Sequence, residues 1–198
     1  VGHGWTCECL GISSTGWQKR SDVPESIRPY LAEVKGERKF FKDTPLNTQL
    51  CYSNPAVRKM LVEEVVRYAA AHPEIDVLHF WPADDFNNVC ECAECKKSLP
   101  SDLYVELLNE IDAALTAAGL PTKIAFLIYL DVYWPPEREK ICNQSRFIMM
   151  FAPIFRSYSE SYDEYLREEQ CASLPYRRNE VAYPHDVSVY LGFLRGWK

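Results

Sequence analysis

Val77-Leu78-His79-Phe80-Trp81-Pro82-Ala83-Asp84-Asp85 is the stretch from which the fold is read. Residues 77–81 form a compact apolar run, too short for a helix, which Pro82 ends; such a run reads as a buried strand. Upstream, Ser53-Asn54-Pro55 offers an N-cap followed by Pro at the first helical position. Val57, Leu61, Val65 and Tyr68 then recur at helical spacing to about His72, where Pro73 stops the helix. Downstream, Pro100-Ser101 opens a second helix whose buried stripe is Leu103, Leu107, Ile111 and Leu115, and Gly119 closes it. Residues 123–130 form an almost continuous apolar strand, as expected when both faces are covered. Residues 146–154 predict another strand, residues 161–169 a weaker helix, and Asp186 starts a last helix that runs to Trp197-Lys198. Further strands are expected at 47–52 and near Trp5–Ile12.

Strand, loop, helix, strand is the grammar of a parallel sheet with crossover helices. An open doubly wound sheet and a (β/α)₈ barrel both obey it. No glycine-rich phosphate loop follows any strand, which removes the usual reason for a nucleotide-binding sheet. The polar residues instead gather just after strand ends, where barrels carry their active sites. The expectation is therefore α/β: a parallel (β/α) TIM-type barrel forming one domain over 1–198. The four or five strands read from the 198 residues fall short of eight. The chain is therefore expected to be a partial barrel, truncated at its C-terminus or completed by a longer parent.

The strand at 77–81 delivers Asp84 and Asp85 to that rim. Glycoside hydrolysis needs a proton donor and a second carboxylate, or a substrate acetamide, to stabilise an oxocarbenium-like centre. Asp84 and Asp85 are the candidate catalytic pair. Trp81 could stack under a sugar ring, and Asn87 could bond its hydroxyls. Tyr129 and Asp131 end the next strand on the same rim, and His3 lies beside Trp5, so all three are candidate sugar contacts. Each also has a plainer reading: Asp and Asn are common in turns, and aromatics fill cores.

Three of the eight cysteines crowd into Cys90-Glu91-Cys92-Ala93-Glu94-Cys95. Short spacings of this kind wrap one zinc ion, and Cys51 is the best fourth ligand if its strand precedes the one at 77–81. A closed four-cysteine site would be structural, pinning the acidic loop. A local disulfide with a free thiol, and inert buried thiols, are the alternatives.

The net charge of −6 gives a nucleic acid no basic face to meet. No apolar run approaches the roughly 20 residues that span a bilayer. Five Trp and twelve Tyr make the chain rich in side chains suited to sugar rings.

Several stretches together resemble one bacterial family. They are Leu50-Cys51-Tyr52-Ser53-Asn54-Pro55-Ala56-Val57, Trp81-Pro82-Ala83-Asp84, Asn87 through Cys95, Ser101 through Val105, Phe126 through Tyr129 and Met150 through Ile154. The combination is similar to the domain of unknown function 4838 family, common in polysaccharide-degrading gut bacteria. The resemblance implies a barrel related to β-hexosaminidases and α-glucuronidases, and a periplasmic or secreted location. The family's Asp falls on Asp84 and its Leu-Cys-x-Ser-Asn-Pro run on Cys51. Many members have Gly where this chain has Asp85. The leading expectation is a glycoside hydrolase acting on a complex glycan, with no catalytic cofactor and a structural zinc. A non-catalytic carbohydrate-binding module on the same scaffold is the alternative. A zinc-stabilised domain without a sugar site is the third reading.

Overall fold

The computed structural model describes residues 2–12, 17–164 and 174–198. Four α-helices are present among them: α1 (Trp5–Glu8), α2 (Pro55–Ala71), α3 (Pro100–Ala117) and α4 (Val187–Gly196). Strands β1 (Glu33–Val34) and β2 (Glu37–Arg38) make an antiparallel hairpin. Strands β3 (Val77–Phe80), β4 (Lys123–Ile128) and β5 (Phe147–Phe151) form a parallel sheet in the order β3-β4-β5.

This is a small α/β unit and not a barrel, which overturns the expected TIM-type architecture, whole or partial. Closure would require both outer strands to find further partners. Among the described residues the free side of β3 makes one parallel bridge, to Gly2, with the Gly2 N–H donating to His79 O at 3.2 Å. Among the described residues β5 pairs with β4 alone, and its Ile148 is 42% exposed. The barrel was read from polar residues gathered just after strand ends; the run of β4, where every residue from Ile124 to Ile128 is buried, showed only that both faces are covered. A central strand of an open sheet meets that condition as well as a barrel strand does, so the pattern does not separate them.

The helices form where local chemistry favours them. The Asn54 side chain accepts from the Ala56 N–H at 3.0 Å and Pro55 occupies the first turn of α2. Asp102 accepts from the Leu99 N–H at 3.3 Å at the start of α3, and Asp186 caps α4 through the Ser188 N–H at 2.8 Å. Val57, Leu61, Val65 and Ala69 of α2 face a core shared with Leu107, Leu108, Ile111 and Leu115 of α3, the sheet, and Tyr190 and Phe193 of α4. Lys35 and Gly36, both at positive φ, turn the β1–β2 hairpin. No helix among the described residues is long and apolar enough to cross a membrane.

Three expectations change. Trp5–Glu8 is one helical turn, with Trp5 fully buried, where a strand was expected. Residues 47–52 hold no parallel strand; Leu50 makes a single antiparallel bridge to Leu31, after a 3₁₀ turn at Pro45–Asn47. The weak helix read at 161–169 begins as a 3₁₀ turn at Tyr162–Glu164, and its remainder lies outside the described residues.

Candidate functional site

The loop between β3 and α3 has two chemically distinct ends. At its start, Gly2 continues the sheet edge beside β3, and this places His3. His3 Nδ1 donates to Pro82 O at 2.6 Å, because a carbonyl can only accept, and this leaves Nε2 facing Asp84 Oδ1 at 4.0 Å. Trp81 meets His3 edge-on with ring centroids 5.0 Å apart, and Tyr129, just past β4, lies 5.8 Å from the same imidazole. Gly2 is held at φ +55° with its backbone against the Trp81 ring, where a Cβ would come within 3.0 Å.

The Asp84 carboxylate is held by donors. Tyr129 Oη donates to it at 3.3 Å, Trp17 Nε1 at 3.1 Å and the Asp85 N–H at 2.8 Å. Burial first, and then the Asp84 charge, hold the Tyr129 phenol above its ordinary range. Four of the residues expected at a sugar site (His3, Trp81, Asp84 and Tyr129) therefore lie together, with Asp84 20% exposed and His3 18%.

The other three expected residues have different partners. Asp85 turns toward Lys42, whose Nζ reaches its two oxygens at 2.9 and 2.7 Å, and toward Asn47 Nδ2 at 3.1 Å. Its φ of 68° is the left-handed region that glycine adopts most easily. Asn87 clasps Val181 in both directions, at 2.9 and 3.1 Å. Asp131 is 5% exposed and accepts from the Asn87 N–H at 2.8 Å. Burial pushes its carboxyl up to about 6.

At the far end of the loop, the Sγ atoms of Cys51, Cys90, Cys92 and Cys95 all lie within 4.8 Å of one another, and no disulfide joins them. Cys51 is 3.6 Å from Cys92 and 3.9 Å from Cys95. Four bonds of about 2.3 Å around a tetrahedral ion put sulfurs about 3.8 Å apart, so the donor set fits zinc. A disulfide would need about 2.05 Å. The surroundings suit thiolates. The Glu33 N–H points at Cys90 Sγ at 3.3 Å and the Cys95 N–H at Cys92 Sγ at 3.5 Å. Hydrogen bonding with the neighbouring sulfurs, Cys90 first and then Cys95, holds Cys51 below the ordinary cysteine range. Cys51 reaches the cluster through a turn, its N–H bonded to Tyr30 O at 2.9 Å, and not from the end of a parallel strand.

Between the two ends lies a cavity of about 30 Å³ bordered by Cys90, Cys95, Tyr104 and Asp131. Ligand pockets run to several hundred Å³, so no sugar fits there, and a glycan would have to sit outside, against Trp81 and Tyr129.

Residues with no sequence signal complete the arrangement. Arg178 donates to the carbonyls of Cys90 at 2.9 Å, Cys95 at 2.9 Å and Ser98 at 2.6 Å. Asn179 pairs with the Val89 backbone in both directions, at 3.0 and 2.8 Å. Ser53, read in the sequence only as part of a helix start and of the Leu-Cys-x-Ser-Asn-Pro run, accepts from Cys95 Sγ at 3.0 Å. Trp17 and Lys42 come from a long polar segment in which nothing marks them.

The family model described as Domain of unknown function (DUF4838) matches residues 23–173, which includes the whole loop. No curated protein and no solved structure matches the chain.

Proposed function

Because the chain belongs to the DUF4838 family, whose function its description leaves open, we propose from its own residues that it acts on a complex glycan, as a glycoside hydrolase centred on Asp84. The observation that supports this reading is a part-exposed carboxylate at a strand end, ringed by His3, Trp81, Tyr129 and Trp17. Aromatic faces suit the apolar faces of pyranose rings, and polar atoms between them suit hydroxyls. Three donors orient Asp84, which fits the carboxylate that stabilises an oxocarbenium-like centre. In this reading Trp81 and Tyr129 hold the ring, and His3 Nε2 faces the same position. A zinc ion held by Cys51, Cys90, Cys92 and Cys95 would be structural, since four protein ligands leave no open position for substrate.

Asp84→Asn is the test. The variant should keep the wild-type circular dichroism and lose hydrolysis by at least about a hundredfold across a panel of polysaccharides. Unchanged hydrolysis would sink the assignment.

One observation favours a second reading, a carbohydrate-binding module without catalysis. The second carboxylate, Asp85, is committed to Lys42 and Asn47, whereas hydrolysis calls for two groups. On that reading the wild type binds glycans, hydrolyses none, and Asp84→Asn binds as before.

A further inference from the structure

A second cavity, of about 500 Å³, adjoins the acidic loop and lies within the range of small-molecule sites. One wall is the β1–β2 hairpin with Lys35 at its turn; another is Phe41 and Lys42; the loop supplies Phe86, Asn87 and Asn88. Three features point to its ligand. First, three lysines, Lys35, Lys39 and Lys42, border it against two carboxylates, Glu37 and Asp43, in a chain whose net charge is −6. Lys39 is paired with Glu37 at 2.6 Å, whereas the Lys35 ammonium has no ion-pair partner among the described residues. Second, the Lys42 ammonium lies 5.1 Å from the Phe41 ring centre and 5.5 Å from that of Phe86, so charge and flat apolar surface are presented together. Third, Asn88 is 1% exposed, its Nδ2 donates to Asn47 O and Asp84 O, and its Oδ1 accepts from none of the described residues. A buried amide oxygen at a cavity edge is an acceptor left for a hydroxyl.

We propose that this cavity binds the anionic group of an acidic sugar, a carboxylate or a sulfate ester, through Lys35 and Lys42, with Phe41 and Phe86 against the ring. The anion part stands on the lysines alone; the sugar part rests on the glycan reading of the Asp84 site. Lys42 connects the two. Its ammonium holds Asp85 at 2.7 Å, and an anion drawing Lys42 into the cavity frees the Asp85 carboxylate beside Asp84. The hairpin wall is fixed to the cysteine end of the loop, with the Lys35 N–H donating to Glu91 at 2.8 Å and the Glu91 N–H to Glu33 O at 2.7 Å.

Calorimetric titration of the full chain at low salt tests this, with trigalacturonate, a sulfated trisaccharide, maltotriose and sodium sulfate as probes. At least one acidic trisaccharide should bind ten or more times tighter than maltotriose, and its affinity should fall as salt rises. Which one does so distinguishes carboxylate from sulfate ester. The double variant Lys35→Met/Lys42→Met should lose at least tenfold of that affinity while keeping the wild-type circular dichroism. Equal affinity for acidic and neutral sugars, or full retention in the double variant, overturns the proposal. Sulfate binding as tightly as either acidic sugar overturns its sugar part and leaves an adventitious ion only. Either failure leaves the hydrolysis test of Asp84→Asn untouched, so the two readings fail separately.

Discussion

The two ends of the β3–α3 loop are built on opposite plans. The cysteine end is closed: three buried thiols and the half-buried Cys92 face one another, backbone N–H groups point at the sulfurs, and Arg178 ties down nearby carbonyls. The acidic end is open: Asp84 and His3 keep a fifth of their surface exposed, between aromatic rings. A site whose ligands come entirely from the protein holds structure, whereas a site with polar atoms facing outward can meet a ligand. One loop thus carries an anchor and, on our reading, a working end, joined by Asn87, Asn88 and Val89, whose partners Val181 and Asn179 run alongside.

The largest effect should come from the anchor. Cys95→Ser removes one of the four clustered thiols, which on our reading hold zinc, and structural zinc contributes roughly 10–16 kcal/mol in small zinc-finger peptides. This chain has its own hydrophobic core, so a fall in Tm of about 10 °C or more is expected by differential scanning calorimetry. A fall no larger than that of a surface variant would break the comparison.

Asp131 underlies the joint between the ends, and its titration gives the next effect. Its folded-state carboxyl titrates near 6, above the ordinary value of 3.8. The folded protein therefore holds a proton that the unfolded chain releases, and stability falls as pH rises from about 4 through 6. Two units correspond to at most about 3 kcal/mol. Asp131→Asn keeps the shape and cannot ionise. Urea melts should show the wild type losing stability across that window relative to the variant, with parallel profiles as the contrary result.

Arg178→Met should cost about 2–3 kcal/mol by leaving three carbonyls without their charged donor. Slower alkylation of Cys92 in the variant than in the wild type would contradict the clamp. The smallest change in stability belongs to Trp17, which is 62% exposed. Trp17→Ala should leave the melt within about 0.5 kcal/mol and weaken glycan binding several-fold. A destabilised fold with intact binding would reverse the roles assigned to the two ends.

The sequence made the regular elements plain for physical reasons. The Val57–Leu61–Val65 stripe, the caps Asn54 and Asp186, and Gly119 at φ +68° each encode a local decision. The parallel pairing of 77–80 with 123–126 followed from the crossover pattern. Closure of the sheet is not local: it depends on what β3 and β5 meet at their outer edges, and the apolar run of β4 is the same in either case. The cysteine cluster was legible from Cys90-x-Cys92-x-x-Cys95, yet Cys51 joins it through a turn beside Tyr30 and not through strand order. Within the candidate site, Asp84, Trp81 and Tyr129 could be named because each lies at or just past a strand end, and His3 for its place beside Trp5. Asp85 and Asn87 were given outward roles since Asp and Asn look alike in sequence whether they face solvent or a neighbouring loop. Their partners Lys42 and Val181 are 43 and 94 residues away.

The most direct test of this account is zinc K-edge X-ray absorption on the purified chain. Four sulfur ligands at about 2.3 Å are expected. A chain that binds no metal and whose Cys51, Cys90, Cys92 and Cys95 are freely alkylated, or a metal held by nitrogen and oxygen, would contradict it.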